Sequence, residues 1–275
     1  MLAITKHRSF LKWAGNKFNC LEHILSKLNP GKRLIEPFAG SGAIFLNTDY
    51  PVHVLNDLNT ELINLFQCLK NEGQEFIDNC RSWFTPENNV DHRYYQLREQ
   101  FNQSSDPHER AILFLYLNRH GYNGLCRFSK KGRFNVPFGL YSKPYFPEKE
   151  MQYFHQKSQS AILSSQDFND TFKLIQRDDV VYCDPPYYPL GPSRSFTAYT
   201  RQQFLAEDQL KLAELALEAA KKGAHVFISN HDVAFTREIY AQAQHIYDFK
   251  VPRFISSKTN QRHAVNEILA HFYSD

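Results

Sequence analysis

Residues 33–57, RLIEPFAGSGAIFLNTDYPVHVLND, confine this chain to few folds. RLIEPF is an apolar run of strand length. AGSG then breaks it with two glycines. AIFLN is helical in character, and HVLND is a second apolar run that ends on an acid, Asp57. Strand, glycine turn, helix and strand in that order form the unit of a Rossmann-type α/β sheet, whose right-handed crossovers lay the strands parallel.

The rest of the chain divides around that unit. Leu21, Ile24, Leu25 and Leu28 mark one helical face, stopped by NPG at 29–31. From about residue 59 the text turns helical, with ELINLFQCLK, YYQLREQF and ERAILFLYLNRH. FSKKGRFNV follows and reads as a β-hairpin turning at Lys130–Gly132. After YFPEKE the α/β alternation returns. AILSS, VVYCD, HVFISN and HIYDFKV are strand-like, EDQLKLAELALEAAKK is helical, and NEILAHFY closes the chain. The organisation expected is a discontinuous α/β domain, residues 1–58 and 146–275, interrupted by a mainly helical insertion, residues 59–145.

With 275 residues, 42% of them hydrophobic and 22% charged, the chain can fill one large core or two smaller ones. A net charge of +3 permits a nucleic-acid partner without requiring one. The five cysteines, Cys20, Cys68, Cys80, Cys126 and Cys183, have no close paired spacing, which argues against a disulfide framework or a zinc site. No metal is expected. No apolar run reaches about 18 residues, and MLAITKHRSF lacks an apolar signal region. Neither a membrane span nor a signal peptide is expected, and the cytoplasm is the expected compartment.

Three motifs carry chemistry. In EPFAGSG a glycine turn between strand and helix lets backbone approach a ligand closely, although it matches neither the dinucleotide nor the P-loop fingerprint. Asp57 ends the next strand where an acid would hold a ribose hydroxyl; it also stands where a helix N-cap would precede LNTELI. In VVYCDPPYY, Asp184 and the Pro185 carbonyl present two acceptors at one strand end. These suit an amino group with two N–H donors, and the ring of Tyr187 or Tyr188 can stack on a flat partner. The plainer reading is a turn that ends a strand. Between Leu117 and Tyr145 lie Arg119, Arg127, Lys130, Lys131, Arg133 and Lys143 without an acid, interleaved with Tyr122, Phe128, Phe134 and Tyr141. This is the footprint of a nucleic-acid surface. KVPRFISSKTNQRH at 250–263 is a second acid-free basic stretch, equally readable as a solvated loop.

The ordered set FLKWAGNK, EPFAGSG, LFLYLNRHGYNGLCRF, FNVPFG, DPPY, FTAY and ISNHD resembles the Dam family of DNA adenine-N6 methyltransferases along nearly the whole chain. The resemblance implies a Rossmann-like methyltransferase fold with a mostly parallel seven-stranded sheet and an inserted DNA-recognition domain with a β-hairpin. It implies transfer of a methyl group from S-adenosylmethionine, leaving S-adenosylhomocysteine, to adenine N6 in double-stranded GATC by a monomer, with the mark made on the nucleoid. Trp13, Lys17, Phe38, Gly40 and Asp57 would hold the cofactor, joined by Asp167 and Phe168 at its adenine. Asp184, the Pro185 carbonyl and Tyr187 would hold a flipped adenine, with Asp184 also near the cofactor. Lys12, Tyr122, Asn123, Leu125, Arg127, Pro137 and Tyr141 would meet bases, and Arg98 and Arg119 phosphates. The chain departs from the family at Asn16, which replaces a glycine of WAGGK. It departs again at Leu140, which replaces the arginine of PFGRY, and in the loop FISSKTNQRH. Two alternatives stand beside this expectation: a methyltransferase acting on an RNA adenine or a protein amide, and a DNA-binding regulator without catalysis.

Overall fold

A computed structural model describes residues 6–190, 204–251 and 265–274. Its strands are β1 (Arg33–Glu36), β2 (Val52–Asn56), β3 (Ala161–Ser164), β4 (Asp179–Cys183), β5 (His225–His231), β6 (His245–Val251) and β7 (Val265–Phe272). They form one seven-stranded sheet in the order β3-β2-β1-β4-β5-β7-β6. β7 runs antiparallel to β5 and β6, and the other pairings are parallel. The helices are α1 (Leu21–Leu25), α2 (Thr60–Glu72), α3 (Gln74–Arg81), α4 (Asp91–Gln103), α5 (Pro107–His120), α6 (Glu148–Ser158), α7 (Phe168–Lys173), α8 (Ala206–Lys221) and α9 (Ala234–Ile239). The mostly parallel seven-stranded α/β fold expected from the sequence is the fold observed.

β4 is buried along its whole length, as a central strand covered on both faces must be. Its alternating side chains split the core. Val181 and Cys183 pack with Phe168 of α7 and with Leu212 and Ala216 of α8. Val180 and Tyr182 face the other way, against Leu21 and Ile24 of α1. In α8 the buried residues Leu212, Ala213, Ala216, Ala219 and Ala220 follow helical spacing.

The third hydrophobic cluster is built mostly by α2–α5. Leu62, Phe66, Tyr94, Phe101 and Phe114 share it with Phe10, Leu11, Phe45 and Leu55. The insertion and the N-terminal segment are therefore fastened by common apolar packing.

Two local expectations change. AIFLN gives only the 3-10 turn Phe45–Asn47. Asn47 Nδ2 donates to the Ala43 carbonyl at 2.8 Å and Thr48 Oγ1 to that of Ile44 at 3.0 Å, which diverts the groups a longer helix would use. The helix expected to reach Leu28 ends at Leu25. The hairpin turn is present in compact form. Phe128 bridges Phe134, Ser129 N–H donates to the Arg133 carbonyl at 2.8 Å, and Gly132 N–H donates to that of Ser129 at 2.8 Å.

Candidate active site and nucleic-acid interface

β1 and β4 are neighbours, and the chain leaves them toward opposite ends of the sheet: from β1 to β2, and from β4 to β5. A crevice forms beyond the carboxyl ends of strands at such a switch point. EPFAGSG follows β1 and DPPYY follows β4, so both motifs open into it.

Gly40 sits at φ +49°, and a Cβ there would stand 3.0 Å from Trp13 Nε1. The indole edge thus lies against the glycine turn. Asp57 pins that turn: Oδ2 accepts from Gly40 N–H at 2.9 Å, and Oδ1 from Asn59 N–H at 2.9 Å. The N-cap of α2 is Asn59, whose Oδ1 accepts from Leu62 N–H at 3.2 Å, so the capping role raised for Asp57 belongs two residues further on. Burial pushes the Asp57 pKa up, against the pull of the two amides.

Phe38 lies 5.5 Å from Phe168 and 5.6 Å from Phe204, ring centre to ring centre. Asp167 caps α7, accepting from Asn169 N–H at 2.9 Å. One aromatic corner therefore gathers Phe38 and Phe168, with Asp167 at its helix end. Glu36, at the end of β1, was missed in the sequence. It is buried, its Oε1 has no hydrogen-bond partner among the described residues, and burial pushes its pKa up to about 8.

Past β4, Asp184 Oδ1 lies 2.7 Å from Lys17 Nζ in an ion pair. Lys17 is buried; its ammonium also donates to the Gly15 carbonyl at 2.9 Å and lies 4.6 Å from the centre of the Tyr187 ring. Burial lowers the Lys17 pKa, but Asp184 and Glu267 more than offset it, and the net direction is up. Burial raises Asp184 against the pull of Lys17. Tyr187 donates its hydroxyl to Glu267 Oε2 at 3.0 Å and meets His231 edge-on at 4.9 Å. Pro185 is buried, and the Pro186 carbonyl accepts from Gln209 Nε2 at 2.8 Å. Tyr188 N–H donates to Asn230 Oδ1 at 3.0 Å, and its ring stacks on Phe235 at 4.2 Å. Of the two tyrosines, Tyr187 is the one beside the Asp184–Lys17 pair. Glu267, Gln209 and Asn230 were not singled out in the sequence; the text ISNHD contains one of them, but nothing local marks the other two.

Around the insertion, Lys12 Nζ lies 3.7 Å over the Tyr141 ring, and burial with the nearby Arg119 lowers its pKa to about 8. Tyr122 and Asn123 are exposed on the 3-10 turn Tyr122–Gly124, Tyr122 by 51%, and Asn123 is left-handed at φ +52°. Tyr122 N–H donates to the Pro137 carbonyl at 2.8 Å, which joins this turn to the exposed Pro137. Leu125 is half-buried. Arg127 is exposed but folded back: Nε donates to Asn135 Oδ1 at 2.8 Å and NH2 to the Asn135 carbonyl at 3.2 Å. Arg98 donates to the Val136 carbonyl at 2.9 Å and stacks on Tyr95. Arg119, expected at a phosphate, is 7% exposed, with Nε donating to the Tyr145 carbonyl at 2.9 Å and NH1 to that of Phe10 at 3.4 Å. Asn16 caps the turn Lys17–Cys20, its Oδ1 accepting from Phe18 N–H at 2.9 Å, which a glycine cannot do. Leu140 is left-handed at φ +52° and 85% exposed. FTAY and the loop 254–263 lie outside the described residues.

Among the described residues no group of three or more His, Cys, Asp and Glu is arranged to hold a metal, and no helix is long and apolar enough to cross a membrane. Residues 13–253 match the model of a family described as D12 class N6 adenine-specific DNA methyltransferase. The chain is 47% identical over 268 residues to a DNA adenine methylase of Vibrio cholerae, covering 97% of this chain and 96% of the relative. It is 48% identical over 265 residues to the DNA adenine methylase of Escherichia coli, covering 96% and 95%. It is 47% identical over 266 residues to that of Serratia marcescens, covering 96% and 98%. A glycine turn and DPPYY at one switch point, a family match over most of the length and relatives near half identity agree: the chain belongs to the D12 class of N6 adenine-specific DNA methyltransferases.

Proposed function

We propose that this DNA adenine methyltransferase, whose methyl donor is S-adenosylmethionine, modifies the adenine of GATC in duplex DNA, working as a monomer on the nucleoid in the cytoplasm. The observation that carries the reading is the pairing of Lys17 with Asp184 beside Tyr187, at the strand end adjoining the Gly40–Asp57 turn.

The residues fit the donor. Phe38 and Phe168 offer apolar walls, with Asp167 beside them, for its adenine. Asp57 has lone pairs left for ribose hydroxyls after its two amide bonds. Lys17 offers a cation for its carboxylate, and the unpartnered Glu36 Oε1 an acid for its ammonium. Trp13 and Gly40 line the approach. When bound, the donor supplies an electrophilic sulfonium methyl.

Adenine N6 is hidden in the duplex, so the base must rotate out, at a cost of a few kcal/mol. Stacking on Tyr187 offsets about 1–3 kcal/mol of that. Tyr122, exposed beside the base-reading residues, is the side chain to fill the gap. The N6 lone pair is delocalised into the ring and is a weak nucleophile. Asp184 and the Pro185 carbonyl, by accepting both N–H bonds, favour a pyramidal nitrogen. The catalytic contribution is positioning and electrostatics, with no covalent intermediate on the enzyme.

Lys12 and Tyr141 read the base pair before the target adenine. Arg127 leaves Asn135 to place its fork on the far guanine, and Leu125 and Pro137 touch the thymine methyl between. Asn123 belongs to the same turn as Tyr122, and Arg98, beside Tyr95, steadies or contacts the backbone.

The test is transfer of a labelled methyl group to a GATC duplex, to duplexes altered at each position, and to RNA and protein, with methylation-sensitive nucleases mapping the product. Transfer confined to GATC adenine is expected. Equal rates on the altered duplexes would defeat the sequence assignment, and donor binding without turnover would favour a regulator.

A further inference from the structure

Asn118 lies in the last turn of α5 and is fully buried. Its Oδ1 accepts from Lys12 N–H at 2.9 Å, and its Nδ2 donates to the Lys12 carbonyl at 2.7 Å. One amide thus grips both main-chain groups of a single residue, as a neighbouring strand would. The same Nδ2 also reaches the Gly124 carbonyl at 3.2 Å and Cys126 Sγ at 3.4 Å. Two segments far apart in sequence meet on this side chain. One is the strap from Lys12 to Lys17, which carries Trp13 to the Gly40 turn and Lys17 to Asp184. The other is the segment that begins with the turn Tyr122–Gly124 and runs to Arg127, with Tyr122, Asn123 and Arg127 exposed and Gly124 and Cys126 buried. They also touch directly: a Cβ on Gly124 would stand 2.2 Å from Lys12 Cβ. A core helix residue that only filled space would be apolar at this depth, since a buried amide is costly unless its groups are bonded.

We infer that Asn118 is a positioning residue that holds the base-reading turn and the cofactor-facing strap in one register, so that occupancy at either site alters affinity at the other. The inference rests on the function proposed above for those two segments. Reciprocity of linked equilibria then requires the duplex to change donor affinity by the factor by which the donor changes duplex affinity.

Two variants test it. Asn118→Ala removes every bond. Asn118→Asp keeps an acceptor for Lys12 N–H, but its other oxygen can donate only one hydrogen bond, to the Lys12 or the Gly124 carbonyl, and only while protonated. Donor affinity is measured by calorimetry with and without saturating duplex, discrimination by kcat/KM on GATC against duplexes altered at the first base pair, and folding by thermal melts at each pH. In Asn118→Ala, donor affinity and first-pair discrimination both fall by about tenfold in protein that is still folded. In Asn118→Asp the same losses emerge as pH rises from about 6 to 9, as its buried carboxyl ionises, a profile the wild type lacks. The inference is overturned if folded Asn118→Ala keeps both properties, if it loses one alone, or if the ratio of Asn118→Asp to wild type stays flat with pH. Absence of GATC preference in the wild type would instead defeat the reading of the site, and the donor-affinity measurements distinguish that failure from this one.

Discussion

Asp57 has two tasks that its position makes inseparable. The same carboxylate pins the Gly40 and Asn59 amides and faces the place proposed for the donor ribose. Asp57→Ala therefore loosens the glycine turn and the start of α2 as well as removing a ligand contact. A charge-assisted hydrogen bond is worth about 1.5–3 kcal/mol, so donor affinity should fall at least about tenfold, with a lower melting temperature. Calorimetry reporting unchanged affinity beside a lowered melting temperature would reduce Asp57 to a structural pin. Asp184 is different, because its carboxylate meets the Lys17 cation and, among the described residues, no backbone amide. Asp184→Ala should abolish methyl transfer while duplex binding, measured by gel shift, stays within a few-fold of wild type. Near-normal turnover in that variant would mean that the two-acceptor picture of N6 activation is wrong.

At the scale of elements, the glycine turn after β1 and the proline turn after β4 were readable because each motif is local: a run of apolar residues, then residues that break it. The partners that fix those turns were not readable. Lys17 and Glu267 meet at Tyr187 from opposite ends of the chain, and only the sheet order, with β7 inserted beside β5, brings them together. The surroundings of Arg119 were hidden for the same reason: its basic neighbours are local, but the helical phase of α5 turns it inward to the Tyr145 and Phe10 carbonyls. The short turn Tyr122–Gly124 offers a sharp test of element packing. Gly124 is left-handed at φ +63°, and a Cβ there overlaps the stem of Lys12. Strain of about 1–2 kcal/mol adds to that clash in Gly124→Ala. Lys12 must move off Tyr141, so discrimination at the first base pair should fall more than total duplex affinity. Panels of altered duplexes measure this, and a uniform loss across the panel would show that the turn supports binding without reading sequence.

Taken as one molecule, the protein carries buried histidines in both parts of its core, and they set how it responds to acid. His53 lies on β2, with Nε2 3.2 Å from Thr48 Oγ1. His120 ends α5, its Nδ1 3.0 Å from the Tyr116 carbonyl. His271 lies on β7, stacked on Phe227 at 3.9 Å. Burial lowers their pKa values from 6.5 to about 4, about 4 and about 3. A histidine whose folded pKa is depressed binds its proton more readily in the unfolded chain. Stability is then complete above the unfolded pKa and declines as pH falls from about 6.5 toward the folded values. At 1.36 kcal/mol per unit, each site costs up to about 3 kcal/mol by pH 4, a large share of the stability of a typical domain. Glu36 acts in the opposite sense. Its raised pKa favours the folded state below its range and costs stability as pH rises from about 4.5 toward 8, unless a cation such as the donor's ammonium faces it. Free protein should therefore be most stable near the crossing of these two limbs, and donor binding should extend the plateau upward. Urea melts between pH 4.5 and 8 give the profile. His271→Leu keeps an apolar group against Phe227, removes a buried Nδ1 that has no partner among the described residues and gives up the Nε2 contact with His225 Nδ1 at 3.1 Å; it should flatten the acid limb by about one proton's worth of slope. An acid limb of unchanged slope in that variant would mean that His271 takes up no more protons on unfolding than it holds when folded.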